Sequence, residues 1–255
     1  MRGPVWELWL AAGVLGLCVG SFLNVVIYRV PEKLSIARPG SHCPKCNQQL
    51  STLDLVPVLS WVALRGRCRY CKAPVSAQYP LVELLNAALW VLVLWRFGPD
   101  LLAVAWMLMA SVLLALTAID IERMKLPRQI IWWGGIPAAV VAAAAVAYHA
   151  DWVRMGWAAL AAVVLGGAFM GIALLVRGGM GAGDVRLTFV LGWMLGLLAA
   201  IDVAWAIALS FGLAVLVGVP LTLASGKGRK AKIPMGPFLA VGFLATALAV
   251  APVHL

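Results

Sequence analysis

Long apolar runs broken by short polar stretches set the pattern of this chain. They cover residues 8–28, 81–95, 101–119, 130–148, 155–176, 187–200, 203–223 and 238–250. A helix needs roughly 20 apolar residues to cross a bilayer, so these runs predict membrane-spanning helices. The second, sixth and eighth are shorter and must borrow flanking residues. Trp132, Trp133, Trp152, Trp157 and Trp205 fall near run ends, where aromatic rings favour the membrane–water boundary. The first run lacks a small-x-small cleavage site after it and is read as a span, not a removed signal. The expected fold is an all-α polytopic membrane protein with about eight transmembrane helices. Composition agrees, since 64% hydrophobic against 12% charged residues excludes a soluble globular chain.

One polar segment, 29–79, is long enough to fold as a module between the first and second spans. It carries Cys43-Pro-Lys-Cys46 and Cys68-Arg-Tyr-Cys71 with 21 residues between the two pairs. A Cys-x-x-Cys knuckle presents two sulfurs from one tight turn, and two knuckles suit a tetrahedral zinc ion. Four thiolates close the coordination shell, so the expected ion is structural; free or redox-active thiols are the alternative. Within the module, 53–64 (LDLVPVLSWVAL) is apolar but too short to span, and Pro57 interrupts it. It predicts either a segment lying in the membrane boundary or a small core of the module.

Charge orients the chain. Of the 20 lysines and arginines, all but Arg2, Arg96 and Arg154 fall on the side that holds the cysteine module. The positive-inside rule makes that side cytoplasmic and the N-terminus external. The net charge of +10 is then mostly topology. No basic domain with stacking or groove-reading elements is visible, so nucleic acid is not an expected partner. Membrane lipids are, and the run 227–232 (KGRKAK) suits anionic headgroups.

Two aspartates stand beside spans. Asp120 follows the third run, and Asp184 closes the glycine-rich stretch 178–184 (GGMGAGD) before the sixth. Two spans separate them, one round trip, so both face the same side. Paired carboxylates are the material of acid–base hydrolysis. Gly181 and Gly183 would let the backbone beside Asp184 approach another segment closely. Because Asp184 opens a helix and Asp120 ends one, the helix dipoles suggest Asp184 as base and Asp120 as acid. Glu83 lies in the first turn of the second span, where an ionisable group costs roughly 2.5–3.5 kcal/mol. It is read as a structural partner or as support for the active site. Pro234, Gly236 and Pro237 break the helix before the last span and would line a groove for a substrate segment. Two other classes compete: a proton- or metal-coupled transporter, and a non-catalytic scaffold built on the cysteine module.

Several blocks together resemble a known family. They are 20–29 (GSFLNVVIYR), the paired knuckles, 75–83 (VSAQYPLVE), Ile119-Asp120 with Leu126-Pro127, Gly181-Ala-Gly-Asp184, and 234–240 (PMGPFLA). In order and spacing the chain resembles the bacterial type IV prepilin peptidases, intramembrane aspartyl proteases of the Gly-x-Gly-Asp type. The resemblance implies an enzyme of the bacterial cytoplasmic membrane that removes the basic leader of prepilins and pseudopilins. It further implies N-methylation of the new terminus with S-adenosylmethionine. Asp120 and Asp184 match the catalytic pair. Arg128, Arg186 and Met235 depart from the family pattern. The expected organisation is residues 1–28 as the first span, 29–79 as the cytoplasmic zinc module and 80–255 as the protease core.

Overall fold

Apolar, helix-favouring runs flanked by glycine, proline and charge fold as helices wherever the computed structural model describes the chain: residues 5–175, 180–218, 220 and 233–249. Residues 178–179, 219, 221–223, 227–232 and 250 therefore lie outside the described residues. The helices are α1 (Val5–Arg29), α2 (Leu59–Ala63), α3 (Gln78–Phe97) and α4 (Leu101–Arg123). They continue as α5 (Arg128–Tyr148), α6 (Trp152–Leu175), α7 (Ala182–Gly196), α8 (Ala200–Gly218) and α9 (Gly236–Ala249). Among the described residues there is no strand, only two isolated antiparallel bridges.

Among the described residues six helices, α1, α3, α4, α5, α6 and α8, are long and apolar enough to cross a membrane. The chain is a multi-pass membrane protein. The remaining two expected spans are shorter. α7 has 15 residues and α9 has 14, about 22 Å of helix against a hydrocarbon core of about 30 Å. Protein surrounds them: Leu187, Leu191, Met194 and Leu195 on α7, and Leu239 and Phe243 on α9, are fully buried. α5 contains a wider π-type turn at Ile131–Gly135 just before Pro137. Proline has no N–H for the regular helical ladder, and the wider turn absorbs that loss.

The chain divides into two compact units, Met1–Trp95 and Arg96–Leu255. In the first, α1 packs on α3 through small residues. A Cβ on Gly16 would sit 2.7 Å from Ala87 Cα, and one on Gly20 would sit 2.7 Å from Glu83 Cα. Backbones this close also hydrogen-bond through side chains, as expected for polar groups between membrane helices. Asn86 Nδ2 donates to Gly16 O at 2.8 Å, and Asn24 Nδ2 donates to Tyr79 O at 3.1 Å. Gly20→Leu is therefore expected to destabilise this unit by about 1–3 kcal/mol through overpacking. Gly13→Ala, whose nearest neighbour would be Val91 Cγ2 at 3.6 Å, should leave it unchanged. Thermal unfolding of the two variants in detergent compares them.

In the second unit α4 is the central helix, buried along most of its length, and α5 and α9 pack on it. α6 and α7 form a tight pair. Cβ atoms on Gly192 and Gly196 would meet Ala161 O at 2.9 Å and Ala158 Cα at 2.7 Å. On α8 Ser210 Oγ donates to Ala206 O, and on α9 Thr246 Oγ1 donates to Gly242 O. Three ends converge as a result: the last turn of α4 and the first turns of α7 and α9.

Candidate active site and metal centre

Asp120 occupies the last turn of α4 and is buried, 5% exposed. The helix stops four residues later at Met124, which adopts a left-handed φ of 51° and donates its N–H to Asp120 O at 2.9 Å. The chain then crosses Leu126 and Pro127 into α5, Pro127 serving as the cap residue. α7 opens at Gly181, whose N–H donates to Asp184 Oδ2 at 3.2 Å across the first turn.

What joins these two helix ends is Gly183. A Cβ there would lie 2.6 Å from Leu126 Cβ and 2.7 Å from Leu126 O. Only a residue without a side chain lets the first turn of α7 rest on the α4–α5 connection. That contact brings the turn carrying Asp184 to the connection that follows Asp120. A third segment closes on the pair: Gly236, the first residue of α9, donates its N–H to Asp120 Oδ2 at 2.8 Å. A Cβ on Gly236 would stand 2.9 Å from that oxygen and 3.1 Å from Asp120 Cβ.

Asp120, Asp184, Gly181, Gly183 and Gly236 thus come together in the second unit. Pro237 stands in the first turn of α9, a position proline tolerates, and Pro234 two residues before that helix. Glu83 belongs to the first unit. There its Oε2 accepts the Val58 N–H at 2.7 Å, and the Ser21 hydroxyl also bonds it. Arg128 and Arg186 are both exposed. The dipole argument for telling acid from base loses its asymmetry. Asp184 does sit in the first turn of a helix, but Asp120 also faces a helix N-terminus, that of α9. Leu126 stands in the sequence only as part of a family-like block, with no role of its own. Its only signal there was a Leu-Pro pair at a short distance from Asp120.

The four cysteines cluster. Their sulfurs all lie within 4.8 Å of one another, and a metal ion can be held among them. The knuckles are built alike. Each is framed by one antiparallel bridge, His42 with Gln49 and Arg67 with Pro74. Each also places a left-handed residue after its second cysteine, Asn47 and Lys72. The Cys46 and Lys45 N–H groups hold the Cys43 thiol down to about 6. The Ala73 N–H lowers Cys71, but burial and the neighbouring thiols push it up to about 11. One thiolate is thus ready at neutral pH, and a bound cation would displace the other protons.

The family described as the bacterial peptidase A24 N-terminal domain matches residues 14–97, which hold all four clustered cysteines. The type IV leader peptidase family matches residues 107–224, which hold both aspartates. The prepilin leader peptidase/N-methyltransferase of Aeromonas hydrophila is 35% identical over 94% of this chain and 90% of its own length. The chain belongs to the type IV leader peptidase family. Another relative, the prepilin leader peptidase/N-methyltransferase of Myxococcus xanthus, is 37% identical to this family member over 88% of the chain and 66% of its own length. The type 4 prepilin-like proteins leader peptide-processing enzyme of Escherichia coli is 33% identical over 92% of the chain. No solved structure matches. As a leader peptidase the protein is an enzyme, which sets aside the transporter and scaffold readings.

Proposed function

We propose that this leader peptidase cleaves type IV prepilins and pseudopilins by activating water between Asp120 and Asp184, at the cytoplasmic face of the bacterial inner membrane. The reading rests chiefly on one observation: the first turn of α7, which carries Asp184, rests through Gly183 on Leu126 just after the end of α4, which carries Asp120, and each carboxylate is held by a backbone N–H. Two carboxylates in electrostatic contact cannot easily both ionise, so the pair shares one proton. The ionised member takes a proton from water as the oxygen attacks the scissile carbonyl, and the protonated member polarises that carbonyl. Asp184 is half-buried and Asp120 buried, so substrate approaches from the side of Asp184. The basic leader matches none of the enzyme's many cations, and leader recognition is not assigned to them. The roles of Gly181, Gly183 and Gly236 are to place the two carboxylates, that of Pro234 and Pro237 to shape the entry to α9. Glu83 supports the protease by fixing the module to α3. Cleavage of a purified prepilin, followed by gel shift, tests the activity.

The metal we assign is zinc. Tetrahedral zinc–sulfur bonds of about 2.3 Å put the sulfurs about 3.8 Å apart, and Cys43 Sγ and Cys71 Sγ are 3.8 Å apart. With four thiolates the shell is closed, so the ion supplies folding energy to the module and no chemistry to the cleavage. Purified protein is expected to hold about one zinc per chain. Cys43→Ser should lose it and Cys18→Ser keep it, as read by elemental analysis.

The relatives' names include N-methyltransferase, and the family resemblance adds the new terminus as the methylated group and S-adenosylmethionine as donor. The basic cavity of the module does not suit that donor. Its lining of Leu64, Arg65, Arg67, Cys68 and Lys72 has no carboxylate for the ribose hydroxyls and sets three cations against a sulfonium. Mass spectrometry of a cleaved prepilin incubated with the donor is expected to show one added methyl group; an unmodified terminus would restrict the enzyme to cleavage.

A further inference from the structure

Among the described residues of the first unit, the module carries an uncovered apolar surface. The 3-10 turn Thr52–Leu55 and helix α2 contain no buried residue. Leu53, Leu59 and Val62 are 69%, 68% and 60% exposed. Of the two sequence readings of 53–64, the small core is therefore not what forms. Two bonds fix where this surface lies. Val58, held in a left-handed φ of 60° that β-branched residues rarely adopt, donates its N–H to Glu83 in the first turns of the span α3. Trp61 Nε1 donates to Val75 O, just before α3 begins. α2 is thus fastened to the mouth of a membrane helix.

Immediately after α2 the chain forms a cavity of about 290 Å³ lined by Leu64, Arg65, Arg67, Cys68 and Lys72. Its charged lining is all cationic. The nearby acid, Asp54, is engaged: burial alone would raise its carboxyl, but Arg69 at 2.6 Å and Ser51 at 2.8 Å hold it below the usual carboxylate range.

We propose that this face of the module is a membrane-docking surface, with Leu59 and Val62 entering the headgroup–acyl boundary and the basic cavity taking the phosphate of an anionic phospholipid. Charge complementarity chooses this occupant over the basic leader of a substrate, which the three cations would repel. Apolar side chains beside cations are the pattern by which amphipathic segments lie on anionic bilayers. The proposal is independent of the aspartate mechanism.

The test uses full-length protein with p-benzoylphenylalanine in place of Leu59, reconstituted in phosphatidylcholine vesicles containing a minor share of phosphatidylglycerol. Each lysine or arginine at an anionic surface favours it about fivefold. Photo-adducts at position 59 are therefore expected on lipid, with phosphatidylglycerol enriched about fivefold or more over its share. Combining Arg65→Gln with Arg67→Gln should return phosphatidylglycerol towards its share while lipid adducts persist. Raising salt on the unaltered cavity should reduce the enrichment in the same direction, a measurement that does not depend on the folding of the double variant. Adducts on protein only, or phosphatidylglycerol no more frequent than its share, would overturn the proposal.

Discussion

Asp120→Asn and Asp184→Asn are each expected to lower prepilin cleavage by on the order of 10³–10⁴-fold, the upper range for removal of an acid–base group. Asparagine keeps the shape of aspartate and an oxygen acceptor. At 120 it can still receive the Gly236 N–H, and at 184 that of Gly181. What it cannot do is share a proton with its partner or take one from water. Each variant should therefore leave helix content, melting temperature and metal content as they are, while cleavage collapses. A loss of cleavage accompanied by unfolding would instead point to a structural role.

The second large effect concerns Gly183, through position and not chemistry. A Cβ there meets the backbone oxygen and Cβ of Leu126 at 2.7 and 2.6 Å, and neither atom can rotate away. Gly183→Ala must therefore lift the first turn of α7 off the α4–α5 connection and carry Asp184 with it. A displacement of about 1 Å at a reacting group costs about 10²-fold in rate, and that is the expected loss in kcat. Gly181→Ala is a graded comparison. Its Cβ would meet Asp184 Oδ2 at 2.9 Å, the far end of a side chain that can turn, so its effect should be the smaller of the two. Equal, negligible effects from both would mean that the contact with Leu126 does not position the carboxylate.

Much of this arrangement is legible in the sequence, and what is not has physical causes. The spans follow from the length of each apolar run, and the knuckles from a local spacing whose geometry is set within a few residues. Asp120 and Asp184 could be put on one face by counting the spans between them. Contacts between distant segments leave little trace in a local pattern. The bond from Gly236 to Asp120 joins residues 116 apart, and nothing around either announces it. That bond removes the helix-dipole distinction between acid and base, because it places Asp120 at the start of α9 as well as the end of α4. The rest of Leu126 on Gly183 is hidden for the same reason. Length alone could not separate α7 and α9, short and enclosed by protein, from helices that cross in contact with lipid. The wide turn in α5 had a visible cause in Pro137. For 53–64, the sequence left two readings open, and the outward-facing leucines decide between them.

The most direct measurement of whether Asp120 and Asp184 act as one unit compares cleavage of a purified prepilin by each asparagine variant and by the variant carrying both. Groups that work on the same proton do not lose activity additively. The double variant is therefore expected to cleave as slowly as either single one and no slower. A double variant whose loss is the product of the two single losses, or a single variant that still cleaves at the original rate, would contradict a shared-proton pair.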